Sequence, residues 1–431
     1  MTTLSASANE PLRVRANLHD DTPAPLWMEG VATLWFISTF AVFPGDSLLL
    51  YPLVLVFFAV FLFERDRFAP SLFRCWFLFT IPLLCGLSYI WAAYPSAALR
   101  EAIFFFLSSF TVVIIGSLLT ERQVLRAFFF CALVGTGLAL SELSSIQARG
   151  ASEFLGQKNY YAMKMMIAMI AAFAIAMNSK ENPILRLIGI ATVPIAFFLV
   201  TAANSATSLV LGSLALLLLI FGQAIWVNAR NVRGLRTTII GFAAASWAAS
   251  ALAIISIFDI ATVDGALELM GRDSTLTGRT ALWDQAQRTS AEHPMLGVGA
   301  ASFWQYDVGA AQSLALNDNR AAGTKLGFHN SYLEAQVHLG WSGLGLLCVM
   351  VAISMWKSIR GVIGDATFER MCFFVAALVI FGMSFTESII FAYFHPGVYI
   401  FHLAAITAIA TRYRTKSVVV RLVPEAPGVR A

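Results

Sequence analysis

Charged residues are scarce in this sequence: they make up 13% of its 431 residues, whereas hydrophobic residues make up 58%. The mean hydropathy is +0.73. Soluble domains carry about 25% charged residues, so the composition excludes a soluble enzyme and predicts a chain that lies mostly in lipid. The formal net charge of +4 is too small to suggest nucleic-acid binding.

The sequence also lacks the residue patterns of several kinds of site. The sequence has five cysteines, an odd number that cannot all pair in disulfides, and all five lie in apolar stretches. This favours buried packing residues over disulfides or metal ligands. There is no Gly-rich phosphate loop, no nucleophile elbow, no His-Glu-x-x-His and no external Asp-x-Asp pair. We therefore expect no metal and no cofactor, and cationic side chains as the groups that neutralise any phosphate.

Long apolar runs, in contrast, fill most of the chain. A spanning helix needs about 20 predominantly apolar residues, and the sequence predicts an all-α polytopic membrane protein with about twelve transmembrane helices. Their approximate ranges are 27–44, 47–63, 71–94, 97–119, 124–143, 160–178, 187–203, 207–227, 237–258, 331–356, 371–386 and 388–410.

Lysine and arginine between these runs indicate the orientation. With the N-terminus inside, twenty of them fall on the cytoplasmic side and four on the other, the longest loop excluded. This bias predicts cytoplasmic tails at 1–26 and 411–431, the first of them disordered, around a transmembrane domain at 27–410. It also places the 72-residue loop 259–330 outside the cytoplasm, and loops of that length are often functional.

Within this loop, Thr277 is positioned to cap a helix that ends near Glu292, with Pro294 as a stop. Arg279 at its start suits bidentate binding of a diphosphate. Arg288 and Arg320 are candidate helpers or, alternatively, solvated loop charges. Lys158, outside the start of the sixth run, is a further candidate cation.

The stretch 327–334, Gly-Phe-His-Asn-Ser-Tyr-Leu-Glu, leads from the loop into the tenth run. Ser331 and Glu334 have the spacing of a capping box, and a helix that starts here would direct free N–H groups at an anion such as phosphate. His329, just before this start, suits proton abstraction near neutral pH. The alternative is an interfacial histidine that only binds the loop. Asn330 and Ser331 are candidate substrate-binding residues in the same stretch.

Two further residues complete the candidate site. Glu387, between the last two runs, is a carboxylate at a depth where such a group normally has a partner or a task. Trp304 belongs to an aromatic cluster with Phe303 and Tyr306 that suits stacking on sugar rings, although an interfacial aromatic belt explains the cluster nearly as well.

These motifs together resemble the O-antigen ligase and polysaccharide polymerase superfamily, and most closely its exopolysaccharide-production polymerase branch. The resemblance rests on Gly-Arg-Thr-Ala-Leu-Trp at 278–283, His-Pro-Met-Leu-Gly-Val-Gly at 293–299 and Phe-Trp at 303–304. It continues with His-Asn-Ser-Tyr-Leu-Glu at 329–334 and Leu-Gly-Trp-Ser-Gly at 339–343.

The resemblance implies a multi-pass glycosyltransferase of the bacterial inner membrane, whose large loop and active face are periplasmic. It would use a glycan on undecaprenyl diphosphate as donor and a glycan or lipid-linked glycan as acceptor, without a metal and with inversion. His329 would be the general base and Arg279 the arginine that holds the diphosphate. Membrane lipids and proteins of polysaccharide export or chain-length control are the expected partners, and nucleic acid is not.

One departure bears on the choice of reaction. Ligases often carry an arginine between helices seven and eight, whereas this chain has Asn-Ser-Ala-Thr at 204–207. The departure favours a polymerase of exopolysaccharide repeat units over an O-antigen ligase that transfers glycan to lipid A core. Either Lys158 is the second phosphate-binding cation, or the donor is held differently. A secondary transporter or lipid-linked glycan flippase, and a non-catalytic scaffold, remain the alternatives.

Overall fold

A computed structural model describes residues 12–19, 23–42, 46–149, 151–203, 205–222, 279–317, 320–321, 324–364, 367–409 and 413–420. The ninth predicted helix, 237–258, lies outside the described residues. So do loop residues 259–278, including the Thr277 cap.

The described residues form fifteen α-helices, two short 3-10 helices and one two-stranded ribbon. The α-helices are α1 (Leu26–Phe40), α2 (Asp46–Phe63), α3 (Arg65–Arg74), α4 (Thr80–Leu87), α5 (Pro95–Leu118), α6 (Glu121–Ser141), α7 (Leu143–Arg149), α8 (Lys158–Met177), α9 (Pro183–Ala202), α10 (Ala206–Phe221), α11 (Arg279–Glu292), α12 (Gly309–Asn317), α13 (Ser331–Gly364), α14 (Phe368–Met383) and α15 (Pro396–Ile409).

The nearly all-helical architecture agrees with a membrane protein. Five of the described helices are long and apolar enough to cross a bilayer, or up to six if one bent pair forms a single span. Twelve spans were expected, so part of that number rests on shorter apolar helices and on residues outside the described part of the chain. Many large apolar side chains on the outer helices are exposed, including Leu187, Val210 and Leu217. Such a surface suits lipid and is unusual on a soluble monomer.

The buried centre of the bundle is α8, in which nearly every side chain from Tyr161 to Ala176 is buried. Beside it, Trp35 and Phe36 of α1 pack against Tyr399 of α15 with ring centroids 5.5 and 5.3 Å apart. Large aromatic side chains contribute much of the apolar area that holds a core together. This packing joins the first and last long helices into one body.

The two ends of the bundle differ in their polar contacts. At one end, Arg370 binds Glu121 at 2.7 Å and Asn178 binds Glu369 at 2.9 Å. Asn178 follows α8, whose other end begins at Lys158. Because α8 has 20 residues, that other end is about 30 Å away. We call the first the ion-pair end and the second the site end.

Three expectations about the elements are corrected. The predicted helix 71–94 is broken into α3, a 3-10 turn at Trp76–Phe79, α4 and a second 3-10 turn at Ser88–Ile90. The last helix begins at Pro396 rather than at 388, and residues 384–395 are not helical. The N-terminal tail was expected to be disordered, but its β1 (Leu12–His19) pairs antiparallel with β2 (Tyr413–Val420).

Candidate active site

A kink in α13 holds the loop segment 293–299 against the bundle. Gly340 interrupts the helix with φ 66° and ψ −160°, a backbone conformation that is essentially restricted to glycine. The kink frees helical carbonyls: those of Val337 and His338 accept the N–H groups of Val298 and Gly299 at 3.0 and 2.9 Å. Beyond the kink, the Trp341 N–H binds the Pro294 carbonyl at 2.8 Å, so the segments 293–299 and 339–343, which were separate sequence motifs, bind each other directly.

The loop also contacts the turn before α5. The Ser88 hydroxyl accepts a hydrogen bond from the Ala300 N–H at 3.0 Å, and the Trp91 indole donates to the Leu296 carbonyl at 3.1 Å. Tyr94 donates to Asp307, and this hydrogen bond raises the pKa of the Tyr94 phenol. These contacts fix the loop from a second side.

Phe303, Trp304 and Phe328 form the small apolar core of the loop, with ring centroids 4.8 to 5.0 Å apart. Trp304 is 8% exposed, and its indole N–H lies 3.3 Å from Glu334 Oε2. Because Trp304 is buried against Phe303 and Phe328, little of its ring is left for the stacking on sugar that its residue type suggested. Its position supports the backbone that leads into His329.

The loop helix α11 carries Arg279 and Trp283 to the same place. It begins at Arg279 and ends at Glu292, as the sequence predicted, and Ala286 on its inner face is buried. Trp283 donates its indole N–H to the Phe328 carbonyl at 2.9 Å. The first turn of α11 is thereby fixed beside the residue that precedes His329.

The start of α13 is capped differently from the expected capping box. Asn330 Oδ1 accepts the N–H groups of Tyr332 and Leu333 at 2.9 and 3.2 Å. The Ser331 N–H binds the Ser384 carbonyl, and the Glu334 N–H binds the Asn330 carbonyl. These N–H groups are therefore already occupied, so they are not available to a phosphate. Asn330 acts as the helix cap rather than as a substrate ligand.

Ser331 places the non-helical segment that contains Glu387. Its side chain is fully buried and donates to the Glu387 carbonyl at 2.8 Å. It also accepts the N–H groups of Ile389 and Ile390 at 3.0 and 3.1 Å. The expected substrate-binding role of Ser331 is corrected to a positioning role.

Glu387 is the centre of the site. Its Oε1 accepts from Arg279 Nη2 at 2.6 Å and from Asn159 Nδ2 at 2.6 Å, and its Oε2 lies 2.9 Å from His329 Nδ1. The residue is 1% exposed. A carboxylate buried so deeply needs charged or hydrogen-bonding partners, and here it has three from separate parts of the chain. Glu387 therefore organises the site and is shielded from direct contact with a substrate.

His329 is held in an unusual backbone conformation, with φ 50°. Left-handed conformations of non-glycine residues store strain and often occur at functional sites. With Nδ1 on Glu387, the imidazole has Nε2 left for other contacts, and no described residue forms a hydrogen bond with Nε2. The side chain is 24% exposed.

Asn159 connects this centre to the element in which ligases often carry arginine. Ser205 donates to Asn159 Oδ1 at 3.1 Å and contacts Ser208 at 3.0 Å. Ser205 thus reaches Glu387 through neutral hydrogen bonds by way of Asn159. Sequence reasoning gave Asn159 and Ser205 no role in the site, since no local pattern distinguishes them from other polar residues at helix ends.

No hydrogen bond or ion pair among the described residues joins Lys158 or Arg288 to Glu387. Lys158 is exposed, next to Asn159 in the chain, and has no ion pair or hydrogen bond among the described residues. Arg288 is exposed on α11; nine residues after Arg279, it lies about 13 Å along the axis and on the opposite face. Arg320 follows α12, where its backbone N–H binds the Ala315 carbonyl. Arg279 is the predicted cation that contacts Glu387. Arg288 cannot bind the same carboxylate, because it lies on the opposite face of α11.

Comparison with known proteins agrees with this arrangement of motifs. Residues 164–350 match the family described as Wzy_C, O-antigen ligase. The exopolysaccharide production protein ExoQ of Rhizobium meliloti (strain 1021) is 27% identical over 339 residues, which cover 76% of this chain and 75% of ExoQ. The expected resemblance is confirmed: residues 164–350 match the O-antigen ligase family model, and this range includes Arg279 and His329 and ends before Glu387.

One solved structure is also similar. It is described as "Structural coordination of polymerization and crosslinking by a peptidoglycan synthase complex", and the matching chain is 13% identical with a TM-score of 0.36. The alignment covers 78% of this chain and 95% of that chain.

Proposed function

We propose that this protein is an inner-membrane glycosyltransferase that polymerises undecaprenyl-diphosphate-linked repeat units of an exopolysaccharide on the periplasmic side. The observation that carries the proposal is the contact of one buried carboxylate, Glu387, with both His329 and Arg279. The match to the O-antigen ligase family and the similarity to ExoQ support polysaccharide polymerase or ligase activity.

His329 is the general base of the proposed reaction. Glu387 binds the Nδ1–H and so keeps the lone pair on Nε2, which is the arrangement that lets a histidine accept a proton. The acceptor hydroxyl oxygen forms a bond to the anomeric carbon of the donor while its proton passes to Nε2. The bond from that carbon to the diphosphate breaks, and its electron pair leaves with the diphosphate. Attack opposite the leaving group inverts the anomeric configuration.

Arg279 stabilises the leaving diphosphate. One of its five N–H donors binds Glu387, so the guanidinium has further donors for phosphate oxygens. Its side chain is 15% exposed, enough to be reached from the site end. Lys158, exposed and adjacent to Asn159, supplies the second positive charge that the polymerase would otherwise lack.

The test is reconstitution of the purified protein with defined undecaprenyl-diphosphate-linked oligosaccharides, and measurement of longer glycans and released undecaprenyl diphosphate. His329→Ala and Arg279→Ala should each reduce turnover by about 10²- to 10⁴-fold. Matched controls are His293→Ala and Arg360→Ala, which remove exposed side chains of the same types elsewhere and should retain activity. Normal product from both site variants would refute the proposal.

The same assay separates the alternatives. A polymerase lengthens the lipid-linked glycan without an added acceptor, whereas a ligase forms product only when lipid A core is present. A flippase or a scaffold forms no new glycosidic bond under either condition, and a scaffold tolerates the loss of His329.

A further inference from the structure

A cavity of about 280 Å³ adjoins His329, and neither Glu387 nor Arg279 lines it. It is bounded by α5, the start of α8, the segment 325–329, α13 and the segment 388–393. His329, Glu101 and Glu334 line it together with aromatic rings such as Tyr160 and Tyr393. Its volume is near the lower end of the ~300–1,000 Å³ of small-molecule sites, which suits one sugar unit rather than a long chain.

The two carboxylates of this cavity differ in their partners. Glu334 accepts the Phe328 N–H at 2.9 Å and lies 3.3 Å from both Trp304 Nε1 and His338 Nε2. Glu101 is 8% exposed, yet no hydrogen bond or ion pair joins it to any residue that the structure describes. The charge of Lys325, which lines the same cavity, acts on Glu101 without a hydrogen bond or ion pair. A buried carboxylate without donors is unfavourable, and the hydrogen-bond partner of Glu101 is missing among the described residues.

The position of Glu101 indicates the chemistry of that partner. A carboxylate accepts hydrogen bonds from two neighbouring hydroxyls, and the aromatic side chains of the cavity offer apolar faces to a sugar ring. His329 lines the same cavity and has no described hydrogen bond to its Nε2. A sugar bound to Glu101 would therefore lie beside the nitrogen that accepts the proton.

We propose that this cavity is the acceptor subsite, in which Glu101 binds two hydroxyls of the acceptor sugar and directs a third hydroxyl to His329. This inference rests on the proposed function. It assigns different places beside His329 to the two substrates: the donor diphosphate to the Arg279 side and the acceptor sugar to the Glu101 side. Glu101 is a specificity-determining residue that binds substrate without exchanging protons.

The experiment uses the purified full-length protein with a fixed concentration of lipid-linked donor and a soluble repeat-unit oligosaccharide, released from the polymer, as the varied acceptor. Hydrogen bonds to a charged group are the strong ones, so Glu101→Gln should raise the acceptor KM about 10- to 100-fold and leave the donor KM unchanged. Glu292→Gln, which changes an exposed carboxylate at the end of α11, is the matched control and should leave both KM values unchanged.

Two further measurements keep the result decisive. Calorimetric titration of the oligosaccharide without donor should show the same loss of affinity in Glu101→Gln. Ala392→Leu fills the cavity from the segment 388–393 and should also raise the acceptor KM. This variant tests the acceptor subsite if Glu101→Gln does not fold. An unchanged acceptor KM and affinity in the folded variants would overturn the subsite while wild-type turnover persists. A wild-type protein that transfers no glycan from the lipid diphosphate would instead refute the proposed function.

Discussion

Glu387 and His329 form a pair in which the carboxylate Oε2 lies 2.9 Å from the imidazole Nδ1. The other oxygen of the same carboxylate binds Arg279 at 2.6 Å. A carboxylate placed in this way fixes the tautomer and the orientation of the ring and stabilises the imidazolium that forms when Nε2 takes a proton. Glu387 is therefore a positioning residue for both partners.

Replacing Glu387 with glutamine should reduce turnover by about 10²-fold or more, because an amide no longer fixes the proton on Nδ1 and no longer pairs with Arg279. The donor KM should rise at the same time, since Arg279 loses the contact that places it. Steady-state kinetics of the reconstituted protein measure both effects. A variant that retains wild-type turnover would show that the Glu387 to His329 contact has no part in the reaction.

Ser331→Ala should lower both stability and activity. The hydroxyl makes three hydrogen bonds to the segment 387–390, and leaving buried backbone groups unpaired costs about 1–3 kcal/mol each. Thermal unfolding in detergent and turnover measure the two effects. Ser313→Ala, at an exposed serine of α12 that bonds only within its own helix, is the control and should leave both quantities nearly unchanged. If Ser331→Ala behaves like this control, the serine does not hold Glu387.

Features set by local sequence were predictable. Hydropathy predicted the five described helices that are long and apolar enough to cross a bilayer, and the end of the loop helix near Glu292 was predicted because the following proline is a local signal. The last helix was placed too early, at 388. The apolar run Ile-Ile-Phe-Ala-Tyr-Phe at 389–394 resembles a helix, although Pro396 at the true first position is the signal that marks it.

The site itself required the folded chain. Asn159 and Glu387 are 228 residues apart in sequence and Arg279 and Glu387 are 108 apart, so no local pattern pairs them. Glu387 was recognisable because a carboxylate at such depth is rare, but its partners were not. For Trp304 the sequence suggested a different partner. A tryptophan suits sugar binding, and only the folded chain shows that this ring packs against Phe303 and Phe328.

Gly340→Ala should destabilise the docked loop. A Cβ at this position would lie 2.3 Å from the Met295 carbonyl carbon, and the backbone conformation alone costs a non-glycine residue about 1–3 kcal/mol. We expect a lower thermal midpoint and faster proteolysis within 293–299. Gly345→Ala on the same helix meets nothing within 4 Å and should be neutral or slightly stabilising. Equal behaviour of the two variants would contradict the docking of the two motifs.

The orientation of the site can be tested by labelling with a membrane-impermeant thiol reagent in a Cys348→Ser background, since Cys348 is the exposed cysteine and the other four are buried. Ser313 of α12 is exposed at the site end, and Ser179, after α8, is exposed at the ion-pair end. The ion-pair end also carries three positive residues, Arg122, Lys180 and Arg370. In membrane proteins, positive residues concentrate on the cytoplasmic side. In intact spheroplasts Ser313→Cys should therefore react, whereas Ser179→Cys should react only after permeabilisation. The reverse pattern would place His329 in the cytoplasm and refute a periplasmic polymerase.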